Sequence, residues 1–110
     1  MLQAAARELL AVQRSDGGWS QEPSLESDSY ATGEALTALL ESGMAAPQDA
    51  AVRRGVAFLL RTQLQDGSWH VTSRAVPIQI YFESGFPHGT DQWISAVGTA
   101  WAVRALANVN

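Results

Sequence analysis

Few side chains in this sequence could carry acid–base or metal chemistry. The acidic cluster at Glu26 and Asp28 lies in a polar stretch before a helical pattern, where carboxylates cap helices or stay solvated. The remaining candidate metal ligands are His70, Glu83, His88 and Asp91. Their spacing matches no compact zinc pattern, and the absence of cysteine excludes disulfides and thiolate sites. No metal or other cofactor is therefore predicted.

Composition excludes several classes of protein. The chain has 110 residues, enough for one domain, and a net charge of −4, which argues against nucleic acid as a partner. No serine lies in a Gly-x-Ser-x-Gly turn, so a hydrolase nucleophile elbow is not expected. No apolar run is long enough for a transmembrane segment, and no signal peptide is visible. The expected location is cytoplasmic, with association to a membrane left open.

One short signature occurs twice, fifty residues apart. Residues 13–19 read QRSDGGW and residues 63–69 read QLQDGSW, each after an apolar helical run. A second similarity relates residues 32–36 to residues 97–101. Self-similarity at a fixed period is typical of repeat architectures, in which each unit stacks on its neighbours.

Hydrophobic periodicity predicts helices at about 2–14, 29–42, 48–64 and 91–107. Asp28 or Ser29 can cap the second helix, and Gly43 can end it. Residues 1–110 thus form a single all-α domain of two helical hairpins, at about 1–45 and 46–110. The second hairpin carries an insertion at about 70–90, with a short extended piece expected at 76–82.

Residues 54–69 contain a basic residue, a glycine, Phe58-Leu59, Gln63 and then Gly67-Ser68-Trp69. This pattern resembles the full QW motif of triterpene cyclases, and the first copy retains part of it. With Ser84-Gly85-Phe86-Pro87 downstream, the chain resembles the C-terminal part of squalene–hopene cyclases, in the terpene cyclase–prenyltransferase repeat family. The resemblance implies a partial α-α toroid of helical hairpin repeats.

The resemblance also assigns roles to individual residues. In that family the glutamine and tryptophan of each QW motif are structural clamps at helix ends, which implies this role for Gln13, Trp19, Gln63 and Trp69. The family lines its cavity with aromatic rings that stabilise carbocations. Phe86 matches such a cavity residue by its Gly-Phe-Pro context. The candidate apolar wall for a ligand is Tyr81, Phe82, Phe86 and Trp93.

Activity is left open by the sequence. A terpene cyclase, an isomerase (mutase), protonates an alkene with an Asp-x-Asp-Asp motif, and this sequence contains none. No catalytic residue is therefore assigned. One hypothesis is a cyclase-like domain that binds an isoprenoid or other apolar ligand as part of a larger or oligomeric toroid. The other is a non-catalytic interaction module that kept only the repeat fold. Either predicts self-association or a missing remainder of the toroid.

Overall fold

The structure, a computed structural model, describes residues 2–72 and 92–109 and is mainly helical there, which confirms the all-α class. Its helices are α1 (Leu2–Ala11), α2 (Ser29–Glu41), α3 (Ala50–Thr62) and α4 (Gln92–Ala107). Two strands of two residues each, β1 (Trp19–Ser20) and β2 (Ser27–Asp28), lie between α1 and α2. None of the described helices is long and apolar enough to cross a membrane.

The helix ends follow local sequence. Asp28, one of the two caps that the sequence predicts, is the N-cap of α2, and its Oδ1 accepts a hydrogen bond of 2.8 Å from the backbone N–H of Ala31. Gly43 follows the end of α2 with a φ of 77°, a left-handed conformation that glycine adopts without strain. Helices α1 and α3 are shorter than predicted, and each ends before the glutamine of its QW signature.

The small sheet was not anticipated, since residues 20–28 read as a polar loop. Trp19 pairs with Asp28 and Ser20 with Ser27 in an antiparallel arrangement. This pairing returns the chain from the first signature to the N-cap of α2. The extended piece expected at 76–82, and most of the predicted insertion, lie outside the described residues.

Helix α2 lies at the centre of the core and makes most of its helix contacts with α4. Glycine permits this close approach, because a Cβ on Gly33 would lie 2.6 Å from the backbone carbon of Trp101. Gly55 of α3 likewise makes room for the side chain of Leu36, which is fully buried. The buried apolar cluster comprises Trp19, Ala35, Leu36, Leu39, Val52, Phe58, Leu59, Trp69, Ala102 and Ala105.

Candidate functional site

The first QW turn, residues 13–19, is closed by its own backbone. The N–H of Arg14 donates to the carbonyl of Gly18 at 2.9 Å, and the N–H of Gly17 donates to the carbonyl of Arg14 at 2.9 Å. Gly17 has a φ of 90°, which a residue with a side chain rarely adopts. Asp16 Oδ1 accepts from the N–H of Gly18 at 2.8 Å. Asp-Gly therefore sets the shape of the turn.

Trp19 is the buried anchor of this turn, with a side chain only 2% exposed. Its indole Nε1–H donates to the carbonyl of Leu9 at 2.8 Å, near the end of α1. Its backbone N–H donates to Thr32 Oγ1 at 2.9 Å, and the threonine hydroxyl donates back to the Trp19 carbonyl at 3.3 Å. Trp19 thus joins the two helices of the first hairpin and gives a second hydrogen bond to a carbonyl near the end of α1, which also accepts from the N–H of Val12 at 3.3 Å.

The second turn, residues 63–69, reproduces this local geometry. Trp69 Nε1–H donates to the carbonyl of Leu59 at 2.9 Å, and its backbone N–H donates to Thr99 Oγ1 at 3.0 Å. Gly67 has a φ of 88°. Gln63 Nε2 donates to the carbonyl of Gly67 at 2.8 Å, as Gln13 does to Gly17 at 2.9 Å. Both copies of the signature therefore fold into the same turn.

The threonine hydrogen bonds relate the two hairpins in a different register from the similarity seen in the sequence. The similarity between residues 32–36 and 97–101 makes Thr32 equivalent to Val97. The hydrogen bonds to the tryptophan backbone instead make Thr32 of the first hairpin equivalent to Thr99 of the second. The second hairpin also has an additional bond of this kind, from the N–H of Val71 to Ser95 Oγ at 2.9 Å. The hydrogen bonds therefore relate the two inner helices in a register that differs by two residues from the sequence similarity. Gly33 and Gly98, which the similarity treats as equivalent, also contact different neighbours.

The two turns differ in what they contact beyond themselves. Gln13 Nε2 also donates to the carbonyl of Ala51 at 2.8 Å, and its Oε1 accepts from the guanidinium of Arg54 at 3.0 Å. The guanidinium of Arg61 donates to the carbonyl of Asp16 at 2.9 Å. The first turn is therefore attached to α3 of the next hairpin, by side chains that the motif alone did not mark as partners.

Gln63 has no equivalent attachment. Within residues 2–72 and 92–109, its side chain makes only the bond to its own turn and is exposed. A Cβ on Gly67 would meet only the Gln63 amide, at 3.9 Å, whereas a Cβ on Gly17 would lie 2.3 Å from the carbonyl oxygen of Arg54. The same turn is covered in one hairpin and open in the other.

The predicted aromatic wall falls largely outside what the structure describes. Tyr81, Phe82 and Phe86 belong to residues 73–91, and Trp93 lies in α4 with its side chain outside the described part. The aromatic residue of α4 that is described, Trp101, is half-buried, and the guanidinium of Arg104 lies 5.5 Å from its ring centre.

Asp16 and Asp28 have structural partners. Ser27 donates to Asp16 Oδ1 at 3.0 Å, and Asp28 caps α2. No group of three acidic, histidine or cysteine side chains that could hold a metal ion occurs among the described residues.

An ion pair joins α2 and α4, the inner helices of the two hairpins. Arg104 donates to Glu41 at 2.6 and 2.8 Å, and the Asn108 amide donates to Glu41 Oε2 at 2.9 Å. These hydrogen bonds, first from Arg104 and then from Asn108, lower the pKa of the Glu41 carboxyl from 4.5 to about 2. Both charged groups lie at the surface, where such pairs contribute little to stability.

A groove of about 360 Å³ opens beside α1 and α2. It is lined by apolar residues, among them Leu9, Trp19, Ala31 and Ala35, and by polar ones that include Glu34. A second groove, of about 310 Å³, runs along α4. It is lined by Ala96, Val97, Ala100, Trp101 and Arg104. Neither groove contains a pair of carboxylates suited to acid–base catalysis.

A family comparison agrees with the repeat and its turns. Residues 1–90 match the family model of the squalene-hopene cyclase C-terminal domain. The chain belongs to this family. The match includes both QW turns and the Gly85-Phe86-Pro87 segment, and it confirms the resemblance on which the sequence interpretation depends. Within this squalene–hopene cyclase C-terminal family, a mainly helical fold built of hairpins is the expected architecture.

Proposed function

We propose that this cyclase-like domain forms part of the wall of an α-α toroid that binds an isoprenoid or similar apolar chain. The observation that carries this proposal is the family match over residues 1–90, because it includes the Gly-Phe-Pro segment that carries Phe86. In this proposal Gln13, Trp19, Gln63 and Trp69 are structural clamps, and Tyr81, Phe82, Phe86 and Trp93 face the ligand. The low charge of the chain suits an uncharged ligand.

The domain supplies binding rather than the acid step. Protonation of an alkene needs an unusually strong acid, and the sequence has no Asp-x-Asp-Asp motif. The aromatic rings would act on charge instead, because a ring face attracts a cation that lies above it. We therefore expect no cyclised product when squalene is incubated with this chain alone and extracted for gas chromatography with mass spectrometry.

Binding is tested with two probes of equal length, squalene and an analogue that carries a tertiary ammonium group. An aromatic wall should bind the ammonium analogue more tightly, by roughly twofold to fivefold, which corresponds to a cation–π contribution of about 0.5–1 kcal/mol. Phe86→Leu keeps the apolar surface but removes the ring. It should weaken binding of the ammonium analogue and leave that of squalene nearly unchanged.

A matched control is Phe58→Leu, which removes a buried ring of α3 that does not belong to the proposed wall. It should lower stability without changing the ratio of the two affinities. Absence of binding of either probe, or an unchanged ratio in Phe86→Leu, would contradict the ligand proposal.

The second candidate function is assembly without a ligand. It is favoured by the open second turn and by exposed apolar side chains, since Leu60 is 58% exposed and Val103 is 54% exposed. The faces that such assembly would use can be identified from the repeat itself.

A further inference from the structure

The contact between the two hairpins defines a pattern that the molecule can repeat. With Thr32 matched to Thr99, each residue of α2 has a counterpart in α4. In the internal contact, α4 presents small residues at Gly98, Ala102 and Ala105, all buried. The inner helices of the two hairpins are α2 and α4. We call the side of an inner helix that carries these residues, or their counterparts in α2, the front face of that hairpin. The opposite side of the same helix is the back face.

The front face of the first hairpin is open. Its α2 residues Ala31, Ala35 and Ala38 are the counterparts of Gly98, Ala102 and Ala105, and all three line the groove of about 360 Å³. Ala38 is exposed, whereas its counterpart Ala105 is fully buried against the first hairpin. Ala35 is already buried within the first hairpin and Ala31 is half-buried, so Ala38 is the part of this small-residue row that is exposed. Among the described helices, none packs on Ala38 as α2 packs on Ala105.

The back face of the second hairpin is open in the same sense. Val103 is the counterpart of Leu36, yet Val103 is 54% exposed and Leu36 is fully buried. Ala100 is the counterpart of Gly33 and is exposed on the groove of about 310 Å³. The second hairpin thus presents the surface that, in the first hairpin, is covered by α3 at Leu36 and by α4 at Gly33.

The outer helices show the same difference. Leu10 of α1 packs against the core, but its counterpart Leu60 of α3 is 58% exposed. Gln13 reaches α3, and Gln63 reaches no further helix in the described ranges. The open turn, Leu60 and the back face of α4 belong to the same side of the second hairpin.

Charge adds little to the match between the two faces. The front groove carries Glu34, which makes no ion pair with any residue of the described ranges, but Arg104 of the back groove is already paired with Glu41 of α2. The match is therefore mainly one of shape. The outer helix of the first hairpin lacks two charges that α3 carries, because Ala4 and Ala11 of α1 occupy the positions that correspond to Arg54 and Arg61 of α3.

We propose that the back face of one copy of this chain docks on the front face of a second copy, head to tail. The joint repeats the contact between the two hairpins, with Ala100 and Val103 of one copy packed on the exposed Ala38 of the next and on the groove beside it. Such a joint is heterologous, so each added copy leaves one free face at each end unless the ring closes. It uses residues outside the proposed aromatic wall and does not depend on a ligand.

The test uses two variants that each remove one face. Ala38→Arg blocks the front face and Val103→Arg blocks the back face, and both positions are exposed, so neither change disturbs the core. The control is Ala57→Arg, at an exposed position of α3 that lines neither groove. Sedimentation velocity is measured over a range of protein concentrations without any isoprenoid, so failure of the ligand proposal does not affect the result.

Wild type and Ala57→Arg should form species larger than a monomer that grow with concentration. Each blocked variant alone should be monomeric, with self-association weakened by about a hundredfold, because an arginine cannot be accommodated in a close small-residue contact. An equimolar mixture of Ala38→Arg and Val103→Arg should form a heterodimer and nothing larger, since each supplies the face that the other lacks.

Several results would overturn the proposal. A wild-type monomer at every concentration would show that another protein or chain segment covers these faces. A mixture that stays monomeric would exclude the head-to-tail joint. A blocked variant that still forms a dimer by itself would indicate a symmetric interface through a different surface.

Discussion

The two QW turns have the same internal geometry and different surroundings. In each, a tryptophan indole donates to the carbonyl ten residues earlier, and a threonine on the inner helix holds the tryptophan backbone. The first turn is also bonded to α3 through Gln13, Arg54 and Arg61. The comparison shows that local spacing determines the turn, whereas the role of its glutamine depends on which helix comes next.

Replacement of the turn glycines should give the largest difference between the hairpins. Gly17→Ala adds a Cβ 2.3 Å from the Arg54 carbonyl oxygen at a φ of 90°, so we expect a loss of about 3–5 kcal/mol in the free energy of unfolding. Gly67→Ala meets no backbone and should lose only about 1–2 kcal/mol, from its left-handed conformation. Urea denaturation followed by circular dichroism measures both. Equal losses would mean that the second turn is also covered.

Truncation of the glutamines tests the same difference through hydrogen bonds. Gln13→Ala removes bonds to Gly17, Ala51 and Arg54 and should lower stability by about 1.5–3 kcal/mol. Gln63→Ala removes one exposed bond and should cost about 0.5–1 kcal/mol. Thermal and urea unfolding of both variants gives the comparison. A loss in Gln63→Ala that rises with protein concentration would instead indicate that a second copy covers the turn.

Threonine substitutions should affect the hairpins alike. Thr32→Val and Thr99→Val each leave a tryptophan backbone N–H without its partner, at a cost of about 1–2 kcal/mol, while the isosteric valine leaves packing unchanged. Urea unfolding of the two variants, with Ser24→Ala at an exposed position between β1 and β2 as a control, checks this. A much larger loss in one variant would disprove the equivalence on which the register of the two hairpins depends.

Acid titration gives the smallest expected effect and concerns the bond between the hairpins. Because the pKa of Glu41 is lowered from 4.5 to about 2, its contribution is present above pH 4.5 and is lost as the pH falls toward 2. Glu41→Gln should therefore show a weaker decline in melting temperature over this pH range than wild type. Glu8→Gln, which removes an exposed carboxylate, is the control. The idea fails if both variants follow the wild-type curve.

Much of the fold could be predicted from local sequence. The periods of Leu and Val, the Asp28 cap and the Asp-Gly turns predicted four helices in the observed order, because these signals act over a few residues. The QW spacing also led to the family that the comparison confirms.

Longer-range features could not be predicted from these signals. The two-residue strands depend on the return of residues 27–28 to Trp19. The equivalence of Thr32 and Thr99 depends on how each inner helix packs against the tryptophan of its own hairpin. Nothing in QLQDGSW distinguishes an exposed Gln63 from the attached Gln13, since that difference lies in Ala51 and Arg54 of another helix. The ligand wall at Tyr81, Phe82, Phe86 and Trp93 stays a prediction.

The threonine contacts also bear on the order in which the hairpins form during folding. Thr32 closes onto Trp19 across 13 residues, while Thr99 closes onto Trp69 across 30. For a flexible chain, the longer loop has an entropic cost of closure higher by about 0.7 kcal/mol. The first hairpin should therefore nucleate faster and present a formed α2 as the surface on which α4 docks, and substitutions at Trp19 should slow folding more than those at Trp69.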